Sequence, residues 1–373
     1  MEYDDYEAFY QHPKQSKPII HSQLPSTSVK DSSFKTPILL EELITETLLR
    51  LPVKPLLKFK SVSKSWLSLI SSPEFIKRHL SLSANNKDYN HHRVMLMVVP
   101  PEGDLKDYSL RSLLYDSVVV EASDMNYPVE RSNAFLYIVG SINRLICFAE
   151  STKLLLWNPS IRKFKKLPDF RTEKMRGLNN VNSVIYGFGY DEIHDDYKVV
   201  SCMFSSYDKF CPAEVKIYSL KSDSWRSIHS LQGGVYFREL GKFVNGKLHW
   251  ATIDDHHLDK GCNIISIDLA CEKLGAVELP CYGEGNSALS LGVFESNLSM
   301  VCTDPRTHLD VCVVEVWVMK EYDVKESWTK MFTIKYPPVP VEDNFGHYRL
   351  SPSFCLSNTG EIWINFHDIQ SKG

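Results

Sequence analysis

The chain has no Cys-x-x-Cys pair. Its nine cysteines, at 147, 202, 211, 262, 271, 281, 302, 312 and 355, are odd in number and scattered. That argues against a disulfide framework and a zinc ribbon. The thiols are expected to be reduced and mostly buried, in a cytoplasmic and/or nuclear protein. No apolar run approaches the roughly 20 residues of a membrane span. The start, "MEYDDYEAFY", is acidic, without a basic region or an apolar one, so no secretory signal is expected. The sequon Asn297-Leu298-Ser299 is then expected to stay unglycosylated. A large net charge is also missing: at −4, the whole is neither a nucleic-acid polycation nor an acidic tail. There is no G-x-S-x-G elbow, no Walker loop and no H-E-x-x-H.

Aromatics are plentiful, which suits strands. Residues 1–36 are polar and aperiodic and read as a disordered arm. Residues 37–82 read as a helical domain. Leu43, Ile44, Leu48 and Leu51 fall on one face of a helix that Pro52 stops. Pro55 suits the first turn of a second helix with Leu56, Leu57 and Phe59. Ser63 can cap a third, in which Trp66, Leu69 and Ile70 share a face. Ser72-Pro73-Glu74 opens a fourth that runs through Leu80. So small a unit has little core of its own and should lean on a partner. Residues 83–92 read as a linker, in which His91 and His92 are expected to be solvated.

From 93 to 373 the pattern is strand and turn. Apolar runs flank turns near Asn143, Asp191, Asn245, Asn297 and Asn358. A second hairpin follows most of them, anchored on Trp157, Tyr218, Asp268 and Trp317. Two hairpins per roughly fifty residues make a four-stranded blade, the unit of a β-propeller. The expectation is a small all-α domain followed by an all-β, propeller-like domain of about five or six blades. "RVMLMVVPPEGDLKDYSLRSLLYD" is read as a degenerate early unit. The last hairpin, "SFCLSNTGEIWINF", is followed only by "HDIQSKG", so the last blade is expected to be incomplete, with Trp363 and Phe366 poorly covered.

"ELITETLLRLPVKPLLKFKSVSKSWLSLISSPEFIKRHL" closely resembles the F-box of the large plant F-box families. "LLLWNPSIRKFKKLP", "YGFGYDEIHDDYKVVS", "VKIYSLKSDSWRSI" and "FVNGKLHW" resemble the F-box-associated domain, often labelled F-box/kelch-repeat, that follows it. The resemblance spans roughly residues 38–370. Kelch motifs proper carry a Gly-Gly pair in each blade, and only Gly233-Gly234 is present. The resemblance implies the substrate-recognition subunit of an SCF ubiquitin ligase, without catalysis or cofactor of its own. Its F-box would dock on a Skp-type adaptor, and through it on cullin and RING subunits. The propeller would hold the protein target, through residues left open. Carried over position by position, the implied adaptor-facing residues are Leu43, Ile44, Leu48, Leu51, Pro52, Leu56, Leu57, Val62, Lys64, Trp66 and Leu69. Leu40 stands where the family has proline, and Thr47 stands at an apolar contact position. Both are expected to weaken docking.

Two other readings compete. A propeller could be a scaffold or a metal-dependent enzyme not engaged in ubiquitination. Asp254-Asp255-His256-His257 is the densest group of ligand types, but a solvated loop explains it better. Arg50 to Arg78 holds seven Lys and Arg residues against one acid, Glu74. That basic island suits an acidic adaptor better than nucleic acid, since Phe59 and Trp66 look internal. Neither a nucleic-acid nor a membrane partner is expected.

Overall fold

The structure is a computed structural model. It describes residues 41–84, 93–97, 105–115, 123–124, 136–150, 153–170, 182–205, 213–231, 235–237, 239–254, 262–280, 288–303, 312–336, 353–356 and 362–365. The chain forms two compact units, residues 1–96 with 104–125, and residues 97–103 with 126–373.

The first unit opens with four short helices, α1 (Glu41–Leu49), α2 (Val53–Phe59), α3 (Lys64–Ser71) and α4 (Pro73–Ala84). Their starts follow capping chemistry. Ser63 Oγ accepts the Trp66 N–H at 3.1 Å, and Ser72 Oγ accepts the Phe75 N–H at 3.2 Å. Strands β1 (Arg93–Met97), β2 (Leu105–Ser109) and β3 (Ser123–Asp124) form a sheet in that order, with helix α5 (Leu110–Tyr115) after β2. The stretch read as a degenerate blade is thus a three-stranded sheet interrupted by a helix.

The second unit is a series of antiparallel meanders. The first runs β4 (Leu136–Ile142), β5 (Leu145–Glu150), β6 (Lys153–Asn158), β7 (Lys163–Lys166). The second runs β8 (Asn182–Asp191), β9 (Asp196–Ser205), β10 (Ala213–Ser219), β11 (Ser224–Leu231). The third holds β12 (Val235–Phe237) and β13 (Lys242–Val244), both paired to β14 (Lys247–Asp254), then β15 (Cys262–Asp268) and β16 (Leu274–Val277). The fourth runs β17 (Ala288–Phe294), β18 (Asn297–Thr303), β19 (Cys312–Met319), β20 (Trp328–Tyr336). A hairpin, β21 (Ser353–Leu356) and β22 (Ile362–Asn365), follows. Strand β4 packs on β8, β8 on β13 and β14, these on β17, and β17 on β21. Successive sheets therefore meet through their first strands, as propeller blades do. The turn expected near Asn358, residue Phe366 and the end of the chain lie outside the described residues, as do the side chains of the last hairpin.

The sequence explains this packing. Strands β5 and β6 read as near-continuous apolar runs, and their residues are buried on both faces. The "YGFGYD" segment is β8. A methyl group at Gly187 would lie 2.7 Å from Trp250 Cζ2, and one at Gly189 2.3 Å from Leu269 Cδ1. Only glycine lets the first strand of one sheet come this close to the next. Tight turns join the strands, with positive φ at Asn143, Arg144, Asn245, Gly246, Glu295 and Ser296. Longer turns use a carboxylate as an internal cap. Asp191 Oδ1 accepts the N–H groups of Ile193 and His194, and Asp268 Oδ1 those of Ala270 and Cys271. Tryptophans tie neighbouring sheets: Trp225 Nε1 donates to the Pro168 carbonyl at 2.7 Å, and Trp328 Nε1 to that of Glu278 at 2.9 Å.

Candidate functional site

The helical unit builds a core from Leu48, Leu49, Leu56, Ile70 and Phe75, with Ile44, Leu51, Phe59, Trp66 and Leu69 packed against it. Phe59 and Trp66 meet edge to face at 5.6 Å. His79, itself buried, stacks on Phe75 and donates through Nε2 to the Leu51 carbonyl at 2.8 Å. That carbonyl lies beyond the end of α1, so the bond closes the turn into α2 and ties α4 to it. Arg78 and Glu46 form an exposed ion pair across α4 and α1.

The eleven residues implied as adaptor-facing divide into three groups. Leu48 and Leu56 are 2% and 4% exposed and hold the unit's own core. Ile44, Leu51, Trp66 and Leu69 are half-buried, part core and part surface. Leu43, Leu57 and Val62 are 53%, 39% and 59% exposed, and Pro52 and Lys64 are exposed beside them in sequence. Leu67, Ile76 and Leu82 are also exposed, and sequence reasoning passed over them. Their signal was a large apolar side chain off the face shared by its neighbours. Thr47 is exposed, and its hydroxyl donates to the Leu43 carbonyl at 2.7 Å, so its polar atom is satisfied within α1. Leu40 lies outside the described residues.

The propeller unit shows a different chemistry. Lys198, buried, donates to Asp191 Oδ2 at 2.9 Å, to Glu272 Oε1 at 3.0 Å and to the Leu269 carbonyl at 2.5 Å. Arg226 also pairs with Glu272. Burial pushes the Asp191 carboxyl up, but hydrogen bonds from Lys198 and His194 outweigh it and hold its pKa below the ordinary value. His194, Asp196, Lys198, Arg226, Cys271 and Glu272 line an open cleft of 410 Å³ here. Lys198 and Arg226 are paired with Asp191 and Glu272, and Asp196 accepts from the Ser219 hydroxyl and the Lys221 N–H, so the cluster locks the second sheet to the third. His249, buried, donates through Nδ1 to the Lys242 carbonyl at 3.2 Å and accepts the Tyr322 hydroxyl at 2.8 Å through Nε2. Burial, with the nearby Lys247 charge, lowers its pKa from 6.5 to about 4, so it is neutral.

Asp255, His256, His257, His91 and His92 lie outside the described residues, and Asp254 ends β14. Among the described residues, no group of three or more His, Cys, Asp or Glu side chains is placed to hold a metal. Of the described cysteines, Cys147, Cys202, Cys262 and Cys302 are buried and Cys271 is exposed, all as free thiols. Burial pushes the Cys302 thiol up to about 12. No described helix is long and apolar enough to cross a membrane.

Two known families match the chain. Residues 38–78 match the family described as F-box domain, and residues 104–372 match the F-box associated beta propeller domain. The F-box protein CPR1 of Arabidopsis thaliana is 33% identical, over 89% of this chain and 82% of its own length. F-box protein At4g22390, from the same plant, is 31% identical over 88% and 80%. The F-box/kelch-repeat protein At3g23880 is 33% identical over 79% and 78%. Proteins with this pair of domains are generally substrate adaptors of SCF ubiquitin ligases. With four short helices in the first match and successive four-stranded meanders in the second, this chain belongs to the plant F-box proteins that carry an F-box-associated β-propeller domain.

Proposed function

We propose that this protein is a non-catalytic substrate receptor of an SCF ubiquitin ligase. The F-box docks on a Skp-type adaptor and through it joins cullin and RING subunits. The propeller binds the protein to be ubiquitinated. One observation carries the reading. The helical unit completes its core with Leu48, Leu49, Leu56, Ile70 and Phe75, yet leaves Leu43, Leu57 and Val62 exposed. Exposed apolar side chains beside a finished core are available for an interface. The lysines and arginines between Arg50 and Arg78 add a basic surround suited to an acidic adaptor.

The test is adaptor-dependent bridging. The full chain is mixed with a cullin, with and without a Skp-type adaptor, and followed by size-exclusion chromatography. Co-elution with cullin only when the adaptor is present is expected. Co-elution without the adaptor, or none with it, overturns the proposal.

A further inference from the structure

The turns of the first full blade differ in charge from those of the others. In that blade the β4–β5 turn carries Arg144, and the β6–β7 turn carries Arg162 and Lys163; neither turn holds an acid. The corresponding turns of the second blade hold Asp191, Glu192, Asp195, Asp196 and Asp223 against Lys221. Those of the third hold Asp268 and Glu272 against Lys247 and Lys273. Those of the fourth hold Glu295, Glu321, Asp323 and Glu326 against Lys320 and Lys325.

The three cations of these first-blade turns are also unpaired among the described residues. Lys198, Lys165, Lys216, Arg226, Lys325 and Lys330 all meet a carboxylate. Arg144, Arg162 and Lys163 form no ion pair or side-chain hydrogen bond with a described residue. Arg144 is half-buried, and burial lowers its pKa. Its backbone has φ 67, and that of Arg162 φ 55, in the left-handed region that disfavours such side chains. At the position Arg144 takes in the first blade, the third has Gly246, φ 73, and the fourth the small Ser296, φ 66. Two arginines thus occupy left-handed turn positions without an ion pair or side-chain hydrogen bond to hold their charge there.

All three sit at one end of one sheet. Ile142 pairs with Leu145, Ile146 with Trp157, and Asn158 with Lys163. Arg144 and Lys163 are therefore two strand spacings apart, about 10 Å. Beside Lys163, the Phe164 side chain is 44% exposed.

We infer that this turn end, Arg144, Arg162 and Lys163 with Phe164, is a docking surface for an extended acidic segment of the protein the propeller captures. The inference rests on the receptor reading above. Charge complementarity selects the partner: two carboxylates about 9–10 Å apart, as residues three apart in an extended polyproline-type segment, match the two turns. An apolar residue next to one of them meets Phe164.

The probe is a fluorescein-labelled Ser-Glu-Pro-Pro-Glu-Leu-Ser peptide, titrated with the full chain at low salt and read by anisotropy. Saturable binding that weakens with salt is expected. It should weaken at least tenfold when both glutamates become glutamine, and at least tenfold in the Arg144→Gln/Arg162→Gln/Lys163→Gln variant. Separately, Arg144→Gly should raise the melting temperature by about 2–4 °C, because it relieves a strained turn. A fall in melting temperature would mean that Arg144 serves the fold, and would overturn the inference. So would absent binding, binding unchanged by the triple substitution, or tighter binding of a labelled single-stranded oligonucleotide. Adaptor co-elution of the triple variant should match wild type. If neither binds adaptor, the receptor reading fails while the peptide result still judges the surface.

Discussion

Gly187→Ala tests the propeller packing at its tightest point. An alanine methyl would sit 2.7 Å from Trp250 Cζ2 and 3.0 Å from Leu248 Cδ1. Trp250 cannot simply move away. It is fully buried, and a methyl group at Gly241 would also be 2.7 Å from Cζ2 of the same ring. Overpacking of this kind costs about 1–3 kcal/mol, and a rigid, fully buried indole belongs at the upper end. Gly140→Ala is the control, since its methyl would lie 3.5 Å from the nearest atom, Phe188 Cβ. Trp250→Phe removes the obstructing ring edge and an indole N–H that has no partner. The double variant Gly187→Ala/Trp250→Phe should therefore be more stable than the sum of the two single losses by about 1 kcal/mol or more. Urea unfolding of the full chain, followed by near-ultraviolet circular dichroism, reads all four variants. A Gly187→Ala protein as stable as Gly140→Ala, or strict additivity in the double variant, would refute the packing argument.

The neutral His249 makes the propeller acid-sensitive. The unfolded chain takes up this proton near pH 6.5 and the folded chain only near pH 4. Stability is then complete above pH 6.5 and falls progressively towards pH 4, by roughly 3 kcal/mol for this group. His249→Gln should flatten that limb of a stability–pH curve, and an unchanged slope would contradict it. Lys198→Met takes the ammonium from the buried Asp191 Oδ2, which then keeps only His194, and should cost about 3 kcal/mol in denaturant unfolding. Adding Asp191→Asn should recover much of that loss, whereas no recovery would mean that the pair is not the cause.

The blade repeat was legible because turns dictate it. Asn143, Asp191 and Asn245 mark positions where the chain must reverse, and the apolar runs between them can only be strands. The helices were legible for a similar reason, since Ser63, Ser72 and the prolines punctuate them. Which leucine faces inward was not. A helix of two turns leaves its face ill-defined, so Leu48 and Leu56, in the core, read the same as Leu43 and Leu57 on the surface. Leu51 shows the consequence: it packs against the core, so a charge there would test folding as much as docking. Lys198 was hidden because a buried lysine is set by partners 7 and 74 residues away, beyond any local pattern. The stretch "RVMLMVVPPEGDLKDYSLRSLLYD" read as a degenerate unit, and α5 stands in it where a second hairpin would follow β2.

The most direct test of the receptor reading is the affinity of the full chain for a Skp-type adaptor, measured by calorimetry for wild type, Leu57→Asp and Val62→Asp. Both side chains are exposed, so helical content and melting should stay at wild-type values. A charge placed in a desolvated interface costs about 3–5 kcal/mol, and the dissociation constant should rise at least roughly a hundredfold in each variant. Wild-type affinity in both folded variants would contradict the account.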